Sequence, residues 1–204
     1  MFNKRKIVIY GGTFSPPHIG HIDVARAIAE QEKPDELLII PTFVPPHKIE
    51  DLGVTPEQRL EMCRLSFSDI KCARVSDMEI KRGGKSYTYL TLKELQSDDA
   101  DLFLVCGTDM ILSFGNWFEF EKIFDMATIL YVRRESDSQI SDRISKLVRE
   151  YREKYNARIR HIEKKVIEIS SSELRQAISK SEAFEHYVTK EVKDYIDKWN
   201  LYRN

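Results

Sequence analysis

The chain has almost no net charge with which to hold a partner. Its 32 Lys and Arg stand against 33 Asp and Glu, a formal charge of −1 at pH 7. Without a basic field a polynucleotide partner is disfavoured, and no nucleic acid is expected. Long apolar runs are missing as well. None approaches the roughly 20 residues that span a bilayer, so no membrane partner is expected. Lys4, Arg5 and Lys6 are followed by only four apolar residues before Gly11. That run is short for the core of a secretion signal, and none is expected. Cysteine is scarce: Cys63, Cys72 and Cys106. Their spacing fits no metal-ligand pattern, and an odd number fits no complete disulfide set. Cys106 ends the apolar run Leu102–Cys106 and reads as a buried free thiol. Free thiols suit a reducing compartment, here the cytoplasm. Two catalytic signatures are also absent. No Gly-x-x-x-x-Gly-Lys-Ser/Thr sequence occurs, which argues against a P-loop NTPase. Nothing resembles a nucleophile elbow or a Ser-His-Asp order.

What is present is ordinary globular composition, 42% hydrophobic and 32% charged over 204 residues. Apolar, strand-like runs recur at Ile7–Tyr10, Leu37–Ile40, Cys72–Val75, Leu102–Cys106, Thr128–Val132 and Val166–Ile169. Helical patterns lie between most of them. This alternation predicts an α/β domain with a mostly parallel sheet covered on both faces. Thr55-Pro56-Glu57-Gln58 offers a helix cap, a proline at the first helical position and a capping-box glutamine, followed by apolar Leu60, Cys63 and Phe67. Ile140, Ile144, Leu147, Val148, Tyr151 and Tyr155 form a second stripe; Val188, Val192, Tyr195, Ile196 and Trp199 form a third. Both are read as core faces. The segment from Pro41 to Lys48 is too proline-rich to continue a central strand, so it is read as a loop at the ligand-binding end of the sheet. Gly83-Gly84 reads as a tight turn. No repeat or long linker appears, so residues 1–204 are read as one domain whose C-terminal helical part begins at about 170.

The most informative stretch is Gly11-Gly12-Thr13-Phe14-Ser15-Pro16-Pro17-His18-Ile19-Gly20-His21. A strand, a glycine turn and a helix start converge free N–H groups and a positive helix end on one place, which suits phosphate. His18 and His21 add ring N–H donors three residues apart, on the same side of the turn. They could stabilise charge that builds during phosphoryl or nucleotidyl transfer. Read blandly, they are two polar residues on a helical turn. Gly20 leaves room for a ligand against the backbone. Ser170-Ser171-Ser172-Glu173-Leu174-Arg175 forms a second anion cradle, or only a serine cap with a surface arginine. Asp109, after Gly107-Thr108, is placed to hold a ribose hydroxyl or a ring substituent, or to cap the next helix. In His47-Lys48 of the proline-rich loop the lysine could contact a substrate phosphate, or be an exposed lysine with no specific role. Trp117 and Tyr87-Thr88 could flank a flat ring, or serve as core and caps. His161 and His186 receive no role. The chemistry reads as direct transfer between bound phosphates, without a covalent enzyme intermediate.

Gly-Gly-Thr-Phe-x-Pro-Pro-His-x-Gly-His and Ile-Ser-Ser-Ser-x-x-Arg together resemble the two signatures of the nucleotidyltransferases that share the His-x-Gly-His motif. Within them the chain is most similar to the bacterial nicotinate-nucleotide adenylyltransferases. Pro45-Pro46-His47-Lys48, Ser86-Tyr87-Thr88, Gly107-Thr108-Asp109 with Trp117 beyond it, and the ending Tyr195 to Tyr202 support this in the expected order. The resemblance implies a Rossmann-like, doubly wound fold. It implies a reaction of ATP with nicotinate mononucleotide, assisted by Mg²⁺, giving nicotinate adenine dinucleotide and pyrophosphate. Gly11, Gly12, Thr13, Phe14 and Gly107 would line the ATP side. His18 and His21 would bind its phosphates and the transition state. Ser171, Ser172 and Arg175 would hold the triphosphate and adenosine. Asp109 would contact the mononucleotide or a ribose. His47, Lys48, Thr88, Trp117 and Arg133 would form the mononucleotide pocket. Mg²⁺ would be held by the ATP phosphates, without a carboxylate cage. The oligomeric state stays open, a homodimer among the options. Two positions depart from the pattern: Ser15 stands where aspartate is frequent, and Ser172 where threonine is common. Competing readings keep the chemistry with nicotinamide mononucleotide or phosphopantetheine as acceptor, or make the chain a non-catalytic nucleotide-binding regulator. A class I aminoacyl-tRNA synthetase is excluded by length and by the missing Lys-Met-Ser-Lys-Ser loop.

Overall fold

The glycine-ended run Ile7–Tyr10 is the middle of the central strand. The computed structural model describes residues 4–46, 52–132, 138–164, 167 and 169–203. In chain order the elements are β1 (Arg5–Gly12), α1 (Ile19–Glu32), β2 (Glu36–Pro41), α2 (Pro56–Phe67), β3 (Ala73–Val75), α3 (Met78–Arg82), α4 (Thr88–Leu95), β4 (Ala100–Gly107), α5 (Thr108–Ser113), α6 (Phe120–Met126), β5 (Ala127–Val132), α7 (Ser138–Tyr155), β6 (Ile159–Ile162), α8 (Ser171–Ser179) and α9 (Lys190–Lys198). The strands form one parallel sheet in the order β3-β2-β1-β4-β5-β6. That order is the doubly wound, Rossmann-like arrangement, as expected. The direction of winding reverses between β1 and β4, so a crevice opens beyond their carboxyl ends, Gly12 and Gly107.

Alternate residues of β1 serve opposite faces, and both faces are buried. Ile7 and Ile9 pack with Leu38, Ile40, Leu104 and Ile129 under α4 to α7. Val8 and Tyr10 pack with Leu37, Ile39, Val105 and Leu130 under α1 and α2. A third cluster joins Met62 of α2 to Leu174 and Ile178 of α8, Val192 and Ile196 of α9, and Leu201 and Tyr202. The C-terminal segment is therefore seated on α2, beside the crevice.

Local signals account for the helices. Thr55 caps α2 reciprocally with Gln58, and Pro56 opens the helix. Leu60, Cys63 and Phe67 are buried as their spacing predicts. Ile144, Val148 and Tyr151 of α7 lie in the core. Gly83 and Gly84, both at positive φ, make the turn after α3. Pro41 is the last residue of β2, not the first of the loop. Thr42 N–H donates to the Gly12 carbonyl, so the missing N–H of Pro41 faces the β3 side, where β3 has already ended at Val75.

Two expectations fail. The sixth strand is Ile159–Ile162, not Val166–Ile169. Ile167 and Ile169 join no strand, and Val166 and Glu168 lie outside the described residues. Ile159 and Ile162 are buried, whereas Ile167 is 41% exposed. At the sheet edge, exposed Arg160 and His161 are tolerated between them, which masks the strand in the sequence. In the third stripe, Val192 and Ile196 are core, but Trp199 is 55% exposed beyond the end of α9.

Candidate active site

The loop after β1 leaves Gly12 and turns back through Phe14, which sits at φ 49°. Gly12 is required there: a Cβ would lie 2.9 Å from the Phe14 ring. Phe14 is 1% exposed, and its ring packs against Tyr10, Phe67 and His21. Phe14 can therefore offer a ligand only its backbone, which narrows the expectation that it lines the adenylate.

His18 is the cap of α1, with extended backbone. Its carbonyl accepts from the N–H groups of His21 and Ile22. Its own N–H donates to His21 Nδ1 at 3.2 Å, which places the proton of a neutral His21 ring on Nε2. The two imidazoles lie 3.7 Å apart, centroid to centroid, and His18 is 2% exposed. The space over Gly20 is taken by the protein itself. A Cβ there would stand 3.1 Å from His18 Nδ1 and 3.1 Å from the Ile167 carbonyl. Gly20 makes room for the His18 ring and the Ile167 carbonyl, not for a ligand as expected.

The second signature arrives at the same loop from about 155 residues away. Ser170 caps α8 reciprocally with Glu173. These hydrogen bonds from Ser170 hold the Glu173 carboxyl below the ordinary carboxylate range. Ser171 Oγ donates to the Pro16 carbonyl at 3.0 Å. Arg175 Nη1 donates to the Ser15 carbonyl at 3.0 Å, and Nη2 to Ser172 Oγ at 3.2 Å. Ser171 and Arg175 thus fasten the loop that delivers His18, and the guanidinium stands at its edge.

Ser15 is fully buried, and its hydroxyl pairs with the Tyr202 hydroxyl at 3.0 Å. Burial pushes the Tyr202 phenol up from its usual value. The serine found in place of the frequent aspartate is thereby anchored by the end of the chain.

Across the crevice, Gly107 caps α5 and Asp109 sits exposed in its first turn. Asp109 is not the cap, so that alternative falls away. Thr88 opens α4, Tyr87 packs on Phe118 at 4.8 Å, and Trp117 stacks on Phe114 at 4.8 Å and 20°. Phe118 links the Tyr87-Thr88 turn to Trp117, its neighbour in the chain. Trp117 already has one face covered. His47, Lys48 and Arg133 lie outside the described residues.

Arg59 was missed in the sequence. It is 1% exposed, and burial lowers the pKa of its guanidinium. Nη1 donates to the Thr13 carbonyl at 2.9 Å and Nη2 to the Phe43 carbonyl at 3.1 Å. The available signal was its phase: Arg59, Cys63 and Phe67 are spaced by four, on one buried stripe. Glu79 was missed too. Burial raises its pKa, opposed by hydroxyls of Thr91, at 2.5 Å, and Ser86.

These two signatures meeting on one loop agree with comparison to known proteins. Residues 9–177 match the cytidylyltransferase-like family. The chain belongs to that family. A relative in Staphylococcus haemolyticus named "probable nicotinate-nucleotide adenylyltransferase" is 30% identical over 206 residues, the full length of both chains. Among solved structures, the chain resembles the Plasmodium falciparum nicotinic acid mononucleotide adenylyltransferase complexed with NaAD, with a TM-score of 0.75 and 22% identity over 97% of each chain. The same enzyme complexed with APC gives 0.73 and 22%, again over 97% of each. At that identity the likeness speaks for the fold. No helix among the described residues is long and apolar enough to cross a membrane.

Proposed function

We infer that the protein transfers the adenylyl group of ATP to nicotinate mononucleotide, forming nicotinate adenine dinucleotide and releasing pyrophosphate, a step of NAD biosynthesis. The observation that carries this is the convergence of both signatures: Arg175 and Ser171 bond to the carbonyls of Ser15 and Pro16, two to three residues before His18. The full-length relative supplies the acceptor.

The mononucleotide phosphate is ionised at neutral pH and attacks the α-phosphorus of ATP in line, so no general base is required. The barrier comes from bringing two polyanions together, and donors fixed in advance lower it. The backbone of Gly11 to Phe14, with Gly107, faces the ATP side. His18 and His21 hold its phosphates and the charge that grows on them. Arg175, with Ser172, supports the triphosphate; Ser171 keeps its hydroxyl on Pro16 and acts through the loop. Asp109 holds a ribose hydroxyl or the mononucleotide. Thr88 and Trp117, with His47, Lys48 and Arg133, form the acceptor pocket.

The donor set suits a Mg²⁺ ion carried by the substrate. When bound, the ion neutralises phosphate charge. The chain works as one nucleotidyltransferase domain with its helical end at about 170–204. Free Cys63, Cys72 and Cys106 and soluble phosphorylated substrates fit the cytoplasm.

The test is pyrophosphate release from ATP with each acceptor in turn. Release with nicotinate mononucleotide above that with nicotinamide mononucleotide or phosphopantetheine is expected. No release with any of the three rejects the enzyme reading.

A further inference from the structure

A buried cation needs a reason. A guanidinium removed from water loses several kcal/mol of hydration that packing alone does not return. Arg59 is as buried as any core residue, yet among the described residues it bonds to two carbonyls and to no carboxylate. Its Nε is buried without a partner. Only the fork of the two Nη groups is used, and a fork holds two acceptors at a fixed separation.

The two acceptors belong to different loops. Thr13 lies in the glycine loop after β1, on the ATP side. Phe43 lies in the loop after β2, which leads in sequence to Pro45 and Pro46 and to the His47 and Lys48 assigned above to the acceptor pocket. The Phe43 backbone is held on both sides of its Cα: its carbonyl accepts from Arg59, and its N–H donates to Ser86 Oγ at 2.9 Å. Ser86 immediately precedes Tyr87 and Thr88, and its own N–H donates to the Val44 carbonyl at 2.9 Å. A continuous line therefore runs from Thr13 through Arg59, Phe43 and Ser86 to Thr88.

We propose that Arg59 is a positioning residue that fixes the separation of the two substrate loops, so that ATP and the mononucleotide are presented to each other in line. Arg59 is too buried to touch either substrate and acts through the two carbonyls. The proposal rests on the adenylyl-transfer reading above. Misplacing reactants by an ångström costs orders of magnitude in rate without abolishing binding of either one.

The experiment compares wild type, Arg59→Lys and Arg59→Met. Steady-state rates are measured with ATP and nicotinate mononucleotide, and the dissociation constant of each substrate alone by calorimetry. Both variants should keep each single-substrate dissociation constant within about threefold while kcat falls about tenfold or more. A cooperative melt and a wild-type near-ultraviolet circular dichroism spectrum establish that the fold is retained, a state in which a purely structural arginine would leave kcat unchanged. Wild-type kcat in Arg59→Lys overturns the proposal, because an ammonium lacks the rigid planar fork that holds two acceptors at a fixed separation. A loss confined to the affinity for one substrate also overturns it. If Arg59→Met does not fold, Arg59→Lys and Ser86→Ala decide. Their double variant should lose no more kcat than the worse single one, whereas multiplied losses contradict a shared brace. A wild-type protein inert with ATP and either mononucleotide overturns the functional reading, and the brace with it; loss only in the variants leaves that reading standing.

Discussion

Gly20 is the residue at which local preference and function pull in opposite directions. It sits in the first turn of α1, where alanine would contribute about 1 kcal/mol more helix propensity. An alanine Cβ would stand 3.1 Å from the His18 ring and from the Ile167 carbonyl. Gly20→Ala should therefore melt within a few degrees of wild type while turnover falls about tenfold or more, because the imidazole is displaced. Calorimetry and the pyrophosphate assay check the two halves, and normal turnover would show that the placement of His18 is not critical. His18, His21 and Arg175 were legible because they stand in short patterns with a mechanical meaning. Arg59 was not. A single arginine in a helix reads as solvated surface, and only its shared phase with Cys63 and Phe67 places it inside. The role of Ser15 was equally hidden, since its partner Tyr202 lies 187 residues away.

At the scale of elements, helix caps and the edge strand β3 were readable, and the other edge strand, β6, was not. Thr55 with Gln58 was recognised because a cap is a local exchange of hydrogen bonds, complete within four residues. β6 was misplaced because an edge strand has one neighbour and can carry Arg160 and His161 in the open. The cap of α8 joins local structure to the site. Ser170 Oγ accepts from Glu173 N–H and donates to the Glu173 carboxylate, and α8 carries Ser171 and Arg175. Ser170→Ala should lower stability by about 1 kcal/mol and raise KM for ATP more than KM for the mononucleotide. Thermal melts and substrate titrations measure both. An unchanged KM for ATP would show that the start of α8 does not shape the triphosphate side.

For the whole molecule, the alternation of strands and helices foretold the parallel sheet, but not which strands would be neighbours. The order β3-β2-β1-β4-β5-β6 puts Gly12 beside Gly107 and opens the crevice there. The seat of the C-terminal segment on Met62 of α2 depends on packing between distant side chains, which no local pattern records. That seat brings the second signature to the first. The most direct test is a double-mutant cycle on kcat/KM for ATP with His18→Ala and Arg175→Ala. Each single change should lower the value by about 10² or more. The double variant should lose much less than their product, a coupling of about 1 kcal/mol or more between residues serving one bound triphosphate. Losses that multiply, with a coupling below about 0.5 kcal/mol, would mean that the two signatures act apart.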